Sequence, residues 1–408
     1  MSTTSFNDLP RETTSEIFAR LPVKDLIKST SVNKAWYSLI NNPSFISSQI
    51  RRCISNCHDN SLLIIPPITS IQNYCSLIST DTSSLIEKFD IPFETRSRSL
   101  KMITEVHGML LLTDLHTEYA SKQLYLWNPY VRRHRLLASS CFRKLLDDRN
   151  RTFRVVGMGF DKPTNDYKIV RIVYVRDDKD KLFADLAPKV EIFSLRKNTW
   201  RKLKDPGVPR LVYDHGVYFN GSYYWLELNQ LGTERANGCY GTEMRIMSFD
   251  FHTELFGLLK VPDDVPCNLG RCPHKLMQVE DSLALCVIDA PHRDKGNTRF
   301  PFCIWLMRQE NGVVSWTLRF RPLLKYFGSP LGITKNGTLI IESFRTNEHD
   351  ETCIISCNIK SMIYKVHEFG IARNPISQSF FDVSTVDALF PESLIMYEGG
   401  KSLLKFSK

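Results

Sequence analysis

"HGVYFNGSYYWLEL", residues 215–228, decides the fold. Asn220-Gly221 separates two runs rich in Val, Tyr, Phe and Trp. Asn-Gly between such runs is the signature of a two-residue hairpin turn, because both turn residues must take positive φ. The pattern recurs downstream in "LGITKNGTLIIES" (331–343), with Asn336-Gly337 at its centre. "VVGMGFDKPTNDYKIVRIVYV" (155–175) is a version with a longer turn, and "KLMQVEDSLALCVID" (275–289) is a fourth.

A second kind of hairpin follows each of these. It is seen in "LYLWNPYVRRHRLL" (124–137), "VEIFSLRKNTWRKL" (190–203), "IMSFDFHTELFGLLKV" (246–261), "CIWLMRQENGVVSWTLRF" (303–320) and "IISCNIKSMIYKVHEF" (354–369). The starts lie roughly 50–65 residues apart, a period of repeat architectures built from sheet blades. Two consecutive hairpins make a four-stranded meander, one blade of a propeller-like ring. About five such units fit between Lys101 and Gly370. "SLLII" (61–65) and "SLIMYEGGKSLLKF" (393–406) could add a shared blade that joins the chain ends, giving five to six in all. Closure removes open sheet edges. Kelch blades carry a Gly-Gly pair in each repeat, whereas Gly399-Gly400 lies outside these repeats. Trp127, Trp200, Trp225, Trp305 and Trp316 occupy comparable strand positions and are expected between blades, as core. Asn220-Gly221-Ser222 and Asn336-Gly337-Thr338 match a glycosylation acceptor but read as hairpin turns.

The first fifty residues have a different period. In "VNKAWYSLI" (32–40), Val32, Ala35, Trp36, Leu39 and Ile40 fall at i, i+3, i+4, i+7 and i+8, the stripe of a core-facing helix. Upstream, Asp8 is a candidate cap and Pro10 stands near a first helical position. Glu12 suits the first turn, and Ile17, Phe18 and Leu21 form an apolar stripe that Pro22 ends. A short helix is expected around Lys24–Thr30. Asn41, Asn42 and Pro43 end the next one, and a last helix can start at Ser44. The resulting boundaries are a disordered start at 1–5, a helical module at 6–50, a connecting segment with the first strands at 51–100, and the β domain at 101–408. The fold class is α+β, a small helical module ahead of a large all-β domain. Residues 6–50 carry more large apolar side chains than so small a module can bury alone, so one face is expected to dock on another protein.

"LPRETTSEIFARLPVKDLIKSTSVNKAWYSLINNPSFI" resembles an F-box. In that family the motif binds a Skp-type adaptor, which connects to a cullin–RING ubiquitin ligase. Carried over by position, the resemblance implies adaptor contacts at Leu9, Pro10, Ile17, Leu21, Pro22, Leu26, Val32, Trp36 and Leu39. "LWNPYVRRHRLL", "GFDKPTNDYKIVRI", "VEIFSLRKNTWRKL" and "GVYFNGSYYWL" resemble the F-box-associated interaction domain of plant F-box proteins, a receptor family akin to F-box/kelch proteins. There this domain selects the protein to be ubiquitinated. The resemblance implies the substrate-recognition subunit of a Skp–cullin–F-box ligase. The competing reading of the β domain is a small-molecule or glycan binder without linked degradation.

Topology locates the recognition face independently. In a meander blade, the first and third turns share one end, and the second turn and the link to the next blade share the other. The first and third turns here are short, as at Asn220-Gly221, Asn336-Gly337, His252–Glu254 and Lys197–Thr199. The others, at 139–152, 176–188, 229–244, 263–274, 290–300 and 344–351, are long. Long loops on a rigid scaffold are the usual place for recognition. Target-contact candidates are therefore Arg143, Arg149, Asp178, Lys181, Arg235, Tyr240, Arg271, His292 and Arg293, whose mixed charge suits a protein surface over a polyanion.

Composition narrows the remaining classes. The chain has 408 residues, 42% hydrophobic, with a formal charge of +9. Its densest basic stretch, 131–154, is interrupted by Asp147 and Asp148, so the charge reads as a solvated surface with a basic tilt rather than a nucleic-acid footprint. No apolar run approaches the ~20 residues that span a bilayer, so no membrane association is expected. "MSTTSFNDLPRE" lacks a basic start and an apolar stretch, so a cytoplasmic or nuclear location is expected, with the 11 cysteines as free thiols. Cys53, Cys57 and His58, and Cys267, Cys272 and His274, lack paired zinc spacing, so neither metal nor cofactor is expected. There is no G-x-S-x-G elbow, phosphate-cradling glycine loop or H-E-x-x-H. The chain is expected to be non-catalytic and to hold a target close to a conjugating enzyme.

Overall fold

The computed structural model describes residues 9–56, 61–65, 74–79, 84–93, 100–114, 123–146, 152–175, 188–204, 207, 212–234, 240–262, 264–265, 274–288, 299–310, 313–334, 336–343, 353–367, 385–388 and 392–395. Four helices open it: α1 (Arg11–Phe18), α2 (Val23–Ser29), α3 (Lys34–Ile40) and α4 (Pro43–Asn56). Pro10 and Pro22 immediately precede α1 and α2, where a missing N–H costs no helical bond. Asn33 caps α3, its side chain accepting from the Trp36 N–H at 2.8 Å. That cap corrects the expected start at Val32, which lies outside the helix and is 61% exposed. The last helix starts at Pro43 rather than Ser44. Asp8 and residues 1–5 lie outside the described residues.

Among the described residues after α4, the regular structure is antiparallel sheet apart from one short helical turn. Strands β1 (Ser61–Ile65), β2 (Tyr74–Ser79) and β3 (Leu85–Asp90) come first. Five consecutive meanders follow. The first contains β4 (Leu100–Val106), β5 (Met109–Asp114), β6 (Leu124–Asn128) and β7 (Arg133–Leu136), and a helical turn, α5 (Arg143–Leu146), lies in the link after it. Next come β8 (Thr152–Asp161), β9 (Asp166–Val175), β10 (Lys189–Ser194) and β11 (Thr199–Leu203). The third has β12 (Val212–Phe219), β13 (Ser222–Glu234), β14 (Tyr240–Asp250) and β15 (Phe256–Lys260). The fourth has β16 (His274–Val279), β17 (Ser282–Ile288), β18 (Phe300–Glu310) and β19 (Val313–Phe320), with β20 (Leu323–Leu324) paired to β18. The fifth has β21 (Gly328–Ile333), β22 (Thr338–Ser343), β23 (Cys353–Asn358) and β24 (Tyr364–His367). Finally β25 (Thr385–Ala388) pairs with β1, with Leu63 opposite Asp387.

A sixth sheet, β25-β1-β2-β3, is thus shared between the two ends of the chain. The innermost strands β4, β8, β12, β16, β21 and β25 adjoin in that order, and β25 adjoins β4, so the ring closes. A shared closing blade was expected from Ser61–Ile65 and 393–406. The first strand is where it was expected, and a strand that pairs with it is Thr385–Ala388; 392–395 forms no strand, and 396–406 lies outside the described residues. Three strands of this blade come from 51–100, the segment expected to connect and to carry the first strands.

Apolar clusters fill the spaces between blades. Tyr223, Trp225, Phe249 and Phe251 pack against Val155, Val170, Ile172 and Tyr174. Trp225 has room because Gly157 faces it: a Cβ there would meet the indole at 2.7 Å. Trp127, Trp200, Trp225 and Trp305 are buried as expected, and the half-buried Trp316 donates its indole N–H to the Lys260 carbonyl of the preceding blade. The Asn220-Gly221 turn has φ of 46° and 85°, the left-handed values its sequence called for. Among the described residues, no helix is long and apolar enough to cross a membrane.

Candidate functional site

The two ends of the ring differ as the turn lengths predict. Turns at 107–108, 129–132, 162–165, 195–198, 220–221 and 251–255 lie at one end. The second turns and links are longer, and the described strand ends that flank them, such as Asp114 and Leu124, Val175 and Lys189, and Ile288 and Phe300, lie at the other end. One expected loop, 229–244, is mostly strand. Asn229 pairs with Glu243, Gln230 with Thr242 and Leu231 with Gly241, and 235–239 lies outside the described residues. The pairing of β12 stops at Glu227 and that of β15 at Arg245, so the β13–β14 ribbon runs on beyond its own blade. Seven residues at ~3.3 Å each carry it roughly 20 Å further.

Of the residues expected to contact a target, Arg143 is exposed at the start of α5, and Tyr240 begins β14. Arg149, Asp178, Lys181, Arg235, Arg271, His292 and Arg293 lie outside the described residues, as do Cys57, His58, Cys267 and Cys272. The segment carrying Arg143 is anchored from below. Ser140 Oγ and the Cys141 N–H donate to the two carboxylate oxygens of Glu191 at 2.6 and 2.8 Å. Arg171 pairs with the same carboxylate at 2.8 Å, with both side chains almost fully buried. Trp200 stacks on that guanidinium at 4.4 Å and donates to the Ala138 carbonyl. Burial lowers the pKa of Arg171, with Glu191 opposing the shift.

The short-turn end holds its own charge cluster. Lys168 bridges Asp161 at 2.8 Å and Glu254 at 3.0 Å, and donates to the Phe251 carbonyl. Arg201 also pairs with Glu254, and His252 with Asp161. Burial pushes the Asp161 carboxyl up, but hydrogen bonds from Lys168 and Thr164 hold it below its usual range. These groups join the β8–β11 blade to the β12–β15 blade, and each buried charge has a partner of opposite sign.

The helical module divides its apolar residues between two uses. Phe18, Val23, Leu26, Leu39, Ile40 and Phe45 are buried, in one cluster with Val106, Met109, Leu126, Val131, Leu394 and Ile395 of the β domain. Leu26 and Leu39, expected to contact an adaptor, are 0% and 7% exposed and belong to this internal core. A helical stripe shows which residues turn inward, but it does not say whether the covering surface is another protein or the same chain. The other expected contacts reach the surface: Pro10, Pro22 and Val32 are exposed, and Leu9, Ile17, Leu21 and Trp36 half-buried. Trp36 meets Phe18 edge to face, with centroids 4.9 Å apart.

The junction between module and ring has no motif in the sequence. Glu392 Oε2 accepts the Val23 N–H at 2.9 Å, and Gln49 Oε1 accepts the Leu394 N–H at 3.4 Å. On the ring side the fully buried Asn128 donates its amide to the Ser393 and Ile395 carbonyls at 3.0 and 2.9 Å. Its Oδ1 accepts the Tyr130 N–H at 3.1 Å. The only available signal was a polar Asn inside the apolar run "LYLWN".

Comparison with known proteins agrees with this division. A family model described as F-box domain matches residues 6–48, and one described as F-box associated beta propeller domain matches residues 69–389. F-box protein CPR1 of Arabidopsis thaliana is 27% identical over 328 residues, covering 76% of this chain and 72% of that protein. An F-box/kelch-repeat protein of the same plant is 25% identical over 350 residues, covering 83% of this chain and 86% of its own.

Proposed function

The chain belongs to the plant family of F-box proteins with an F-box-associated β-propeller domain, and from that premise we propose that it is the substrate-recognition subunit of a Skp–cullin–F-box ubiquitin ligase. Its F-box docks on a Skp-type adaptor, and its propeller selects a protein for ubiquitination and degradation. The chain itself is non-catalytic, acting in the cytoplasm or nucleus by holding the target near the conjugating enzyme.

The observation that carries this is the apolar surface left over after the F-box has docked on its own propeller. Pro10, Pro22 and Val32 stay exposed, and Leu9, Ile17, Leu21 and Trp36 half-exposed, although the buried side of the module is already covered. Such a surface on a small helical module fits a second protein, with Trp36 as anchor. The target face is the long-loop end, with the projecting β13–β14 ribbon and Arg143. It lies at the opposite end of the ring from Asn128, beside the 129–132 turn, where the F-box is held.

The test is binding of the full chain to a Skp-type adaptor, with Val32→Asp beside it. Val32 is exposed and outside any helix, so its replacement leaves the fold intact. Leu26→Asp would put a charge into the chain's own core and report on folding instead. The expected result is tight wild-type binding, weakened at least about tenfold by Val32→Asp. A folded wild type that does not bind the adaptor would overturn the proposal.

A further inference from the structure

We infer that Glu392–Ile395 is a strap that locks the F-box onto the propeller in one orientation, with Asn128, Gln49 and Glu392 as its positioning residues. The inference concerns this chain alone and does not depend on adaptor or target binding.

The topology brings both chain crossings to one end of the ring. β25 is an innermost strand, antiparallel to β1 beside it. It therefore ends where β1 begins, at the short-turn end, close to where α4 arrives. Four residues after β25 the chain reaches Glu392 and runs between the helices and the β4–β7 blade. Every backbone polar group described above for this segment is held from one side or the other. The F-box side supplies Gln49 to the Leu394 N–H, while Glu392 takes the Val23 N–H, one of the donors a helix start leaves without an intrahelical partner. The ring side supplies both amide hydrogens of Asn128.

The side chains complete the wedge. Leu394 is 0% and Ile395 6% exposed, and both sit in the cluster that contains Phe18, Leu26 and Phe45 of the F-box and Leu126 and Val131 of the ring. A hydrogen-bonded peptide with two buried aliphatic side chains cannot slide without exposing apolar surface and orphaning buried donors. A fixed angle keeps the long-loop face turned away from the F-box.

The experiment measures that angle in the full chain. Spin labels carried on unnatural amino acids at the exposed positions Lys24 and Lys197 avoid the exposed Cys141. Pulsed dipolar spectroscopy should give one narrow distance distribution in the wild type. In Leu394→Ser/Ile395→Ser the distribution should broaden at least about twofold, while hydrogen-exchange protection in β9 and β17 stays at wild-type level. A broad wild-type distribution, or a variant that keeps the narrow one, would overturn the inference. Should that variant fail to fold, Glu392→Ala decides. It removes one acceptor at a half-buried position, and the Val23 amide should exchange about tenfold faster. Unchanged exchange there would count against the strap.

Discussion

Replacing Glu191 by Gln should destabilise the propeller more than any surface change and loosen the segment that presents Arg143. The Arg171 guanidinium has the Glu191 carboxylate on one side and the Trp200 ring on the other, with only 4% of its side chain exposed. Glu191→Gln keeps the shape but leaves the Arg171 charge buried without a counter-charge. Breaking a buried pair from one side costs about 3–5 kcal/mol. Arg171→Met should cost less, because Ser140 Oγ and the Cys141 N–H still donate to the stranded carboxylate. The double variant removes both charges, and similar exchanges elsewhere are near neutral, so it should lie within about 2 kcal/mol of the wild type. The two single effects therefore should not add, and the coupling should exceed about 2 kcal/mol. Urea unfolding followed by tryptophan fluorescence gives the stabilities, and hydrogen exchange at the Cys141 amide follows the link. Single-variant effects below about 1 kcal/mol, or simple additivity, would mean that the pair is solvated and does not anchor the link.

Two further outcomes follow from the interior. Gly159→Ala should destabilise by about 1–3 kcal/mol, since a Cβ there would lie 2.1 Å from the Phe251 ring, itself 0% exposed; a wild-type melting temperature would show that the blade interface repacks freely. Stability should also fall with acid. Burial lowers the pKa of His107 and His367 to about 4, so the unfolded chain takes up protons below about 6.5 that the folded chain refuses until about 4. Each should cost roughly 2 kcal/mol between pH 6.5 and pH 5. Glu342 works against them: burial raises it to about 7, so its contribution is lost as pH rises from about 4.5 through 7. His367→Gln should flatten the acid limb of a stability–pH curve, and Glu342→Gln should raise stability above pH 7; unchanged curves would refute both assignments.

What the sequence disclosed and what it hid follow from how far each signal reaches along the chain. A hairpin is local: Asn220-Gly221 fixes the turn, and the register of β12 against β13 follows within a few residues. Five blades could therefore be read one hairpin pair at a time, and with them the sorting of short and long turns to opposite ends. Burial on both faces did not obscure this, because strands such as "LYLWN", buried at every position, still lie between turn residues. The closing strand is different in kind. "TVDA" at 385–388 is four residues with little apolar content, and it becomes a strand because β1, more than three hundred residues earlier, offers it an unpaired edge. No local pattern records such an offer. Val23 likewise lies 369 residues from Glu392, and Asn128 lies 265 and 267 residues from Ser393 and Ile395. The burial of Leu26 and Leu39 within this chain was hidden for the same reason. Their spacing marks them correctly as inward-facing, and the apolar cluster they share includes Leu394 and Ile395, whose place is set only once the ring has closed. Closure should therefore precede F-box docking during folding. Cutting the chain before β25 should cost the F-box its fixed position even though all four of its helices remain.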